Sequence, residues 1–136
     1  MSRLLLDTHV FVWAKTGERQ LAEEVRKMIV APENEIFVSL ASAWELAIKA
    51  SIGKLDGDPA LLIGGRDVFE RVLSESGFQL LGTEAEHVFA AAGLPLHHRD
   101  PFDRIIIAQA TTEHMTLVTA DARFTAYKGL ALLYAI

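Results

Sequence analysis

The stretch Leu4-Leu5-Leu6-Asp7, close to the N-terminus, joins a short apolar run to the acidic residue that ends it. Consecutive leucines of this kind are typical of a strand buried on both faces of a sheet, so we predict a strand over residues 3–7. A carboxylate directly after such a strand needs a partner, because charged acids are rarely buried alone. The rest of the chain repeats this combination of a core segment and an acid.

On the C-terminal side of this stretch, apolar strands alternate with amphipathic helices. A short helix is expected over residues 9–15, with Thr8 as a possible cap. Thr83 and Glu86 have the spacing of a capping box. Further helices are predicted at 18–31, 41–52, 66–75, 84–92 and from the loop at 93–99 to about 113, further strands at 36–38, 78–81, 116–119 and 130–134, and turns at 56–59 and 122–126. The alternation favours an α/β sandwich with a mostly parallel central sheet flanked by helices.

The composition limits the class of protein. With 136 residues, half of them apolar, the chain fits one domain over residues 1–136 that has a sizeable core. No apolar run approaches a membrane span, and no basic-then-apolar leader is present, so we expect a cytoplasmic protein without a membrane partner. The absence of cysteine excludes a thiolate metal site. The net charge of -5 argues against broad electrostatic binding of nucleic acid, but it leaves room for a basic rim around an acidic centre.

Four acids lie beside core segments in the pattern of a cation site. Asp7 and Asp121 follow predicted strands, Asp103 precedes an apolar helical run, and Glu45 lies within the apolar segment 43–48. Ligands of parallel sheets bind beyond the carboxyl ends of the strands, so the fold should bring these acids to one edge. Ligation by oxygen alone suits Mg²⁺ or Mn²⁺.

The acids at helix starts also have structural explanations, which stay open. Asp7 and Asp121 could be N-caps of the helical segments that follow them. Asp100, Pro101 and Asp103 fit the N-cap, N1 and N3 positions of one helix, where acids complement the helix dipole. Both roles can coexist, because a capping carboxylate uses only part of its acceptor capacity.

Glu45 has the weakest structural explanation. A solvent-facing Glu45 could pair with Lys49 one turn later, which would contribute only a few tenths of a kcal/mol. His97 and His98 could suggest zinc, but adjacent histidines in a loop point in different directions, so we do not favour it. His9 could lie near the acidic edge of the sheet, but we expect it to face solvent.

Neighbouring polar residues could support the acids. Hydroxyl groups beside them could orient carboxylates or hold waters, although strand-end capping explains each equally well; they are Thr8, Ser39 and Thr119. Basic residues flanking the acidic segments could contact phosphates, although a solvated surface charge is the simpler explanation for each; they are Lys15, Arg99, Arg104 and Arg123.

Several blocks, in order along nearly the whole chain, resemble a known family. They are Leu4-Leu5-Leu6-Asp7-Thr8-His9 with Trp13; Val38-Ser39; Ala43-Trp44-Glu45-Leu46-Ala47-Ile48-Lys49; His97-His98-Arg99-Asp100-Pro101-Phe102-Asp103-Arg104; Ala108-Gln109-Ala110; and Leu117-Val118-Thr119-Ala120-Asp121 with Phe124. The chain resembles the PIN-domain ribonucleases, most closely the VapC-type toxins of bacterial toxin–antitoxin pairs. The Asp-Pro-Phe-Asp-Arg and Trp-Glu blocks are the specific ones.

This resemblance implies a PIN-like three-layer sandwich and a Mg²⁺- or Mn²⁺-dependent endoribonuclease that hydrolyses RNA through metal-activated water. It assigns the catalytic, metal-binding acids to Asp7, Glu45, Asp103 and Asp121, with Asp100 as a frequent extra acid. Thr119 matches the family's hydroxyl position. It also implies that tRNA or rRNA is cut, that the protein is a homodimer, and that a cognate antitoxin protein inhibits it.

Two other classes remain in competition. A PIN-like scaffold without activity could serve only as a protein-binding module, but its acids would then have no reason to be intact. A phosphoacceptor domain of the receiver type also carries acids at strand ends. It would need paired acids in an early turn and a late strand-end lysine, whereas Asp7 stands alone and Lys128 lies in a loop-like stretch.

Overall fold

The computed structural model describes residues 1–53 and 64–136, and the turn predicted at 56–59 lies outside them. The strands described are β1 (Arg3–Leu6), β2 (Glu35–Ser39), β3 (Gln79–Leu81), β4 (Thr116–Thr119) and β5 (Leu132–Tyr134). The α-helices described are α1 (Thr8–Thr16), α2 (Glu23–Val30), α3 (Leu40–Ser51), α4 (Arg66–Ser76), α5 (Ala85–Ala92) and α6 (Pro101–Thr112), and a 3₁₀ helix spans Ala122–Ala126. None of these helices is long and apolar enough to cross a membrane.

β1 lies at the centre of a five-stranded parallel sheet with the order β3-β2-β1-β4-β5. Its register places Leu6 opposite Val38 of β2 and Val118 of β4, so these three strands end at nearly the same level. Just beyond β1, the backbone N–H of Asp7 donates to the carbonyl of Val118 at 3.0 Å. The sheet therefore fixes the position of the first acid through its backbone as well as its side chain.

Side chains alternate along β1 and divide the core into two clusters. Leu6 packs with Phe11 of α1 and Leu46 of α3 on one face. Leu5 packs with Ile107 of α6 on the other face. A buried parallel strand needs helices on both of its faces. The predicted three-layer α/β sandwich with a parallel central sheet is confirmed.

The second helix is shorter than predicted. It begins at Glu23 rather than at residue 18. Ala22 adopts an extended backbone conformation, and its N–H donates to the carbonyl of Ala135 at 2.7 Å, which ties the segment to the end of β5. Leu21 is buried beside this tie. A contact between residues so far apart in sequence overrides the local helical pattern.

The sequence offered both Asp7 and Thr8 as caps of α1, and the structure selects one of them. Asp7, and not Thr8, is the N-cap, and its Oδ1 accepts the N–H of Val10 at 2.8 Å. Thr8 is instead the first residue of the helix, and its hydroxyl forms a hydrogen bond of 2.9 Å with Ser42 of α3. Aspartate is a stronger capping residue than threonine, which explains why Asp7 occupies the N-cap position.

The capping box predicted from Thr83 and Glu86 is wrong by one residue. Glu84 is the N-cap of α5, and its N–H donates to Nδ1 of His87 at 3.0 Å. His87 is almost fully buried, so packing places its ring where the glutamate of a capping box would otherwise reach back.

Two leucines of α3 provide a test of the core. Leu46 is 1% exposed and Leu40 is 45% exposed. We expect Leu46→Ala to lower the free energy of unfolding by about 2–5 kcal/mol, because it leaves a cavity in a closed core. Leu40→Ala should cost less than about 1 kcal/mol. Urea unfolding followed by circular dichroism measures both, and equal losses would contradict the packing described for α3.

Candidate metal centre

The fold brings the four predicted acids and Asp100 into one group at the carboxyl edge of the sheet. Asp7 follows β1, Asp121 follows β4, and Asp103 lies in the first turn of α6. Glu45 reaches the group from the second turn of α3. The other acids all lie close to Asp103: in addition to burial, their negative charges raise the pKa of the Asp103 carboxyl group.

Asp7 is buried, and both of its carboxylate oxygens are engaged. Oδ1 caps α1 through the N–H of Val10, and Oδ2 accepts a short hydrogen bond from the hydroxyl of Thr119. Thr119 in turn accepts the N–H of Asp121 at 3.0 Å. Burial raises the pKa of Asp7, and these hydrogen bonds oppose the rise. Thr119 thus connects the acids that follow β1 and β4.

Glu45 is 4% exposed, so it does not face solvent as the alternative reading required. Its Oε2 does accept a bond of 2.7 Å from Lys49, the partner one turn later. Its Oε1 is buried and has no hydrogen-bond partner, the only such side-chain atom in the described ranges. An unsatisfied buried carboxylate oxygen costs free energy, so this atom favours a cation nearby.

Asp103 also has a strongly raised pKa. Burial is the main cause that raises its pKa to about 8, and repulsion from Asp100, Glu45, Asp7 and Asp121 adds to it. Without a cation, this carboxyl group is therefore largely protonated at neutral pH. Perturbation of this kind, with a clear physical cause, is common at functional sites.

His98 belongs to the group although the sequence reading set it aside. Its buried ring places Nε2 3.0 Å from Oδ2 of Asp103 and 3.3 Å from Oδ2 of Asp121. Nδ1 accepts the backbone N–H of Asp100 at 3.3 Å, which assigns the ring proton to Nε2. The ring therefore donates into the space between two carboxylates.

One ring nitrogen of His98 and one carboxylate oxygen each from Asp103 and Asp121 lie within 4.8 Å of one another. Because Nε2 carries the ring proton, His98 orients the two carboxylates in this arrangement. His97 is exposed, so the two adjacent histidines do point in different directions, as expected. The sequence prediction did not include His98 among the site residues. The available signal was the position of His98 two residues before the N-cap of α6, the helix that carries Asp103.

Asp121 is held by Arg123. Nε of Arg123 lies 3.0 Å from Oδ1 and 3.1 Å from Oδ2, and a terminal nitrogen donates to Oδ2 at 2.7 Å. The side-chain hydrogen bonding from Arg123 is the main cause that lowers the pKa of Asp121 to about 2. Asp121 also caps the 3₁₀ helix through the N–H of Arg123 at 2.9 Å. It is thus ionised where Asp103 is not.

Asp100 is the N-cap of α6. Its Oδ1 accepts the N–H of Phe102 at 2.8 Å and that of Asp103 at 3.2 Å. The capping explanation for Asp100 is therefore correct. It does not exclude a second role, because Oδ2 takes no part in the cap.

The predicted phosphate contacts are distributed unevenly around this group. Arg123 is exposed at its edge and Arg99 is exposed in the preceding loop. Lys15 lies elsewhere: it donates to Ser76 at 2.7 Å and lines a separate cavity of about 640 Å³.

Arg104 serves the loop before α6. Its two terminal nitrogens donate to the carbonyls of Ala91, Leu94, Pro95 and His98 at 2.8–3.1 Å. A phosphate contact by these nitrogens would require those bonds to break.

Ser39 does not contact an acid in the described structure. Its hydroxyl caps α3 through the N–H of Ala41 and donates to the side chain of Gln109 at 2.6 Å. Gln109 is fully buried and also donates to the carbonyl of Gly82, so it joins α6 to β2 and to the segment after β3. Ser39 and Gln109 thereby align the two helices that carry Glu45 and Asp103.

The residues present fit a hard divalent cation. The donors are carboxylate oxygens, which Mg²⁺ and Mn²⁺ prefer. One of them is an orphaned buried atom on Glu45, and another belongs to a carboxyl group that burial keeps protonated. A cation would relieve both unfavourable features at once.

Comparison with known proteins gives one family and several similar folds. The family model described as PIN domain matches residues 4–130. No curated protein matches the chain. Similar solved structures include VapBC2 from Rickettsia felis bound to a DNA fragment from their promoter (19% identity, TM-score 0.70, 97% of this chain and 98% of that one). DNA-bound VapBC from Salmonella typhimurium has 14% identity and a TM-score of 0.67, over 98% of this chain and 98% of that one. VapBC-5 from Mycobacterium tuberculosis has 19% identity and a TM-score of 0.60, over 98% of this chain and 99% of that one. At these identities the structural matches establish the fold.

The raised pKa of Asp103 predicts that cation binding depends on pH. Because the carboxyl group must lose its proton, binding of Mn²⁺ near pH 7 should release about one proton. The apparent affinity should rise between about pH 6 and about pH 8 and then level off. Titration calorimetry in two buffers of different ionisation enthalpy measures both effects. Asp103→Asn should remove the pH dependence, and an affinity of the original protein that does not change with pH would contradict the assignment.

Two substitutions of Asp7 separate its charge from its cap. Since the pKa of Asp7 is raised in the folded protein, ionisation of this group opposes folding above its unfolded value of 3.8. Asp7→Asn keeps a capping oxygen and removes the charge, so in EDTA its melting temperature should exceed that of the original protein, increasingly as pH rises above about 4. Asp7→Ala loses the cap and should melt about 3 °C below Asp7→Asn. Equal melting temperatures of the two variants would show that the cap contributes nothing.

Proposed function

Because the chain belongs to the PIN-domain family, we propose that it is a nuclease that hydrolyses RNA phosphodiester bonds with Mg²⁺ or Mn²⁺. The cation would be held by Asp7, Glu45, Asp103 and Asp121. The observation that carries the proposal is the unpartnered buried oxygen of Glu45 in the same group as the protonated Asp103. In a purely structural cluster of acids, we would expect that oxygen to have a hydrogen-bond partner and Asp103 to have a positively charged one.

A bound divalent cation supplies the positive charge that activates water and stabilises a leaving oxygen in phosphodiester hydrolysis. The side chains of this protein prepare the site for that charge. Asp103 gives up its proton, and His98 donates Nε2–H toward Asp103 and Asp121, which fixes the orientation of both carboxylates. Thr119 holds Asp7 in place. No side chain needs to act as a nucleophile.

Arg123 has a second role in this proposal. Its guanidinium group is exposed and lies against Asp121, at the edge of the acidic group. A phosphate of the RNA that approaches the centre would meet this cation first. Arginine suits this contact, because its planar group can hold a carboxylate and a phosphate through different N–H bonds.

The proposed biological role is that of a toxin in a type II toxin–antitoxin system, cutting tRNA or rRNA as a homodimer. The support is that three of the similar solved structures are of VapBC proteins and match nearly the whole chain. The proposed partner is an antitoxin protein that reaches the centre with a basic segment. An acidic group of carboxylates attracts such a segment electrostatically.

An RNA cleavage assay tests the proposed activity. Total RNA incubated with the protein and Mn²⁺ should be cut at discrete sites, which sequencing of the new ends will identify, and EDTA should stop the reaction. Asp7→Asn and Asp103→Asn should lower the rate by roughly a hundredfold or more while both variants stay folded. Asp67→Asn, at an exposed acid in the first turn of α4, is the matched control and should keep full activity.

Cleavage that persists in EDTA, or that survives Asp7→Asn with unchanged cation affinity, would contradict the proposal. Cleavage of single-stranded DNA at the same rate would keep the metal chemistry and remove the RNA assignment. Growth arrest on expression, relieved by a protein encoded in the neighbouring reading frame, would support the toxin role independently.

A further inference from the structure

A pocket of about 200 Å³ adjoins the acidic group. The residues that line it are Asp7, His9, Trp13, Arg19, Ala120, Asp121 and Ile136. Its volume corresponds to about seven waters at roughly 30 Å³ each, enough for a single planar ring system. It is therefore a space of ligand size in direct contact with two of the proposed metal ligands.

Three of the lining residues, His9, Trp13 and Arg19, come from one helix and the turn after it. His9 and Trp13 are four residues apart on α1, so they share a face, and their ring centroids lie 5.7 Å apart at an interplanar angle of 34°. Because Asp7 caps the same helix, the two rings are positioned relative to that carboxylate.

A turn at Gly17 allows Arg19 to reach the ring of Trp13. Gly17 ends α1 with φ of 72°, a left-handed conformation that glycine adopts without strain. The chain then turns back, and the guanidinium carbon of Arg19 lies 5.3 Å from the centroid of the Trp13 ring. An imidazole, an indole and a guanidinium group thus lie next to one another, and they are called here the stacking platform (His9, Trp13 and Arg19).

We propose that the stacking platform binds an unpaired base of the RNA next to the phosphate that is cut. This inference rests on the proposed nuclease function and adds to it a subsite that fixes where the strand lies. Unpaired bases stack on aromatic rings and on arginine guanidinium planes, and each such contact strengthens binding without demanding one sequence. The positive charge of Arg19 would also hold the strand's backbone.

Exposure separates this inference from a purely structural reading. His9 and Arg19 are exposed, and Trp13 is only partly buried. A tryptophan shielded for stability alone would need neither an exposed imidazole beside it nor a pocket that ends at two carboxylates. If the platform were only structural, Arg19→Ala would lower the melting temperature and leave RNA binding unchanged.

The chain offers a direct optical test, because it has two tryptophans and Trp44 is 64% exposed elsewhere on α3. In a Trp44→Phe, Asp103→Asn protein, Trp13 is the only tryptophan and cleavage is suppressed. Titration in Mg²⁺ with a dye-labelled single-stranded RNA of about twelve nucleotides should quench the Trp13 emission saturably, in parallel with the RNA anisotropy. A matched DNA strand shows whether the contact requires ribose.

Two exposed positions then test the platform without disturbing the core. His9→Ala and Arg19→Ala should each weaken RNA binding by about fivefold or more in the same background. Lys27→Ala, which removes an exposed cation on α2, is the matched control and should change the affinity less than about twofold. Melting temperatures of all three variants verify that they are folded.

The outcomes distinguish this inference from the proposed function. RNA that binds without a change in Trp13 emission, RNA that does not bind, or affinities unaffected by His9→Ala and Arg19→Ala would overturn the subsite, even if the original protein cuts RNA. A saturable Trp13 response that both substitutions weaken would establish the subsite. If the original protein then failed to cut RNA, only the nuclease function would be lost.

Discussion

The burial of several carboxylates close to one another is the constraint on which the rest of this site depends. The parallel register of β1 with β2 and β4 ends these strands at one level, and the helices after them carry acids to the same place. Burial then removes the water that would screen the charges. Burial of the carboxyl group, with repulsion from the neighbouring acids added to it, raises the pKa of Asp103 to about 8, so that this group is largely protonated at neutral pH in the metal-free protein.

Three of the other acids are each stabilised by a different partner. Thr119 donates to Asp7, Arg123 pairs with Asp121, and Lys49 pairs with one oxygen of Glu45. What these partners leave unsatisfied is concentrated at Asp103 and at the other oxygen of Glu45. The chain thus gives partners to Asp7, to Asp121 and to one oxygen of Glu45, and it leaves Asp103 and the other oxygen of Glu45 without a positively charged partner, which is where a divalent cation would gain the most.

Much of this could be predicted from the sequence, and the misses share a physical cause. The strands and the acids that follow them are local patterns, so the α/β fold and the edge at which Asp7 and Asp121 meet were predictable. The inclusion of His98 was not, because its role depends on acids five and twenty-three residues away in the chain. The late start of α2 likewise depends on a bond to Ala135. The catalytic and metal-binding roles of the acids stay predictions.

The four carbonyl bonds of Arg104 link the geometry of the loop to that of α6. Arg104 follows Asp103 directly, and it grips the chain from Ala91 to His98. A displacement of that loop would therefore also displace the helical turn that carries Asp103. The imidazole of His98 and the carboxyl group of Asp103 would then move together. Lysine could not replace this arginine, because a single ammonium group cannot span four acceptors with a rigid fork. The chain thereby keeps a proton donor aligned with its acceptor without any covalent cross-link.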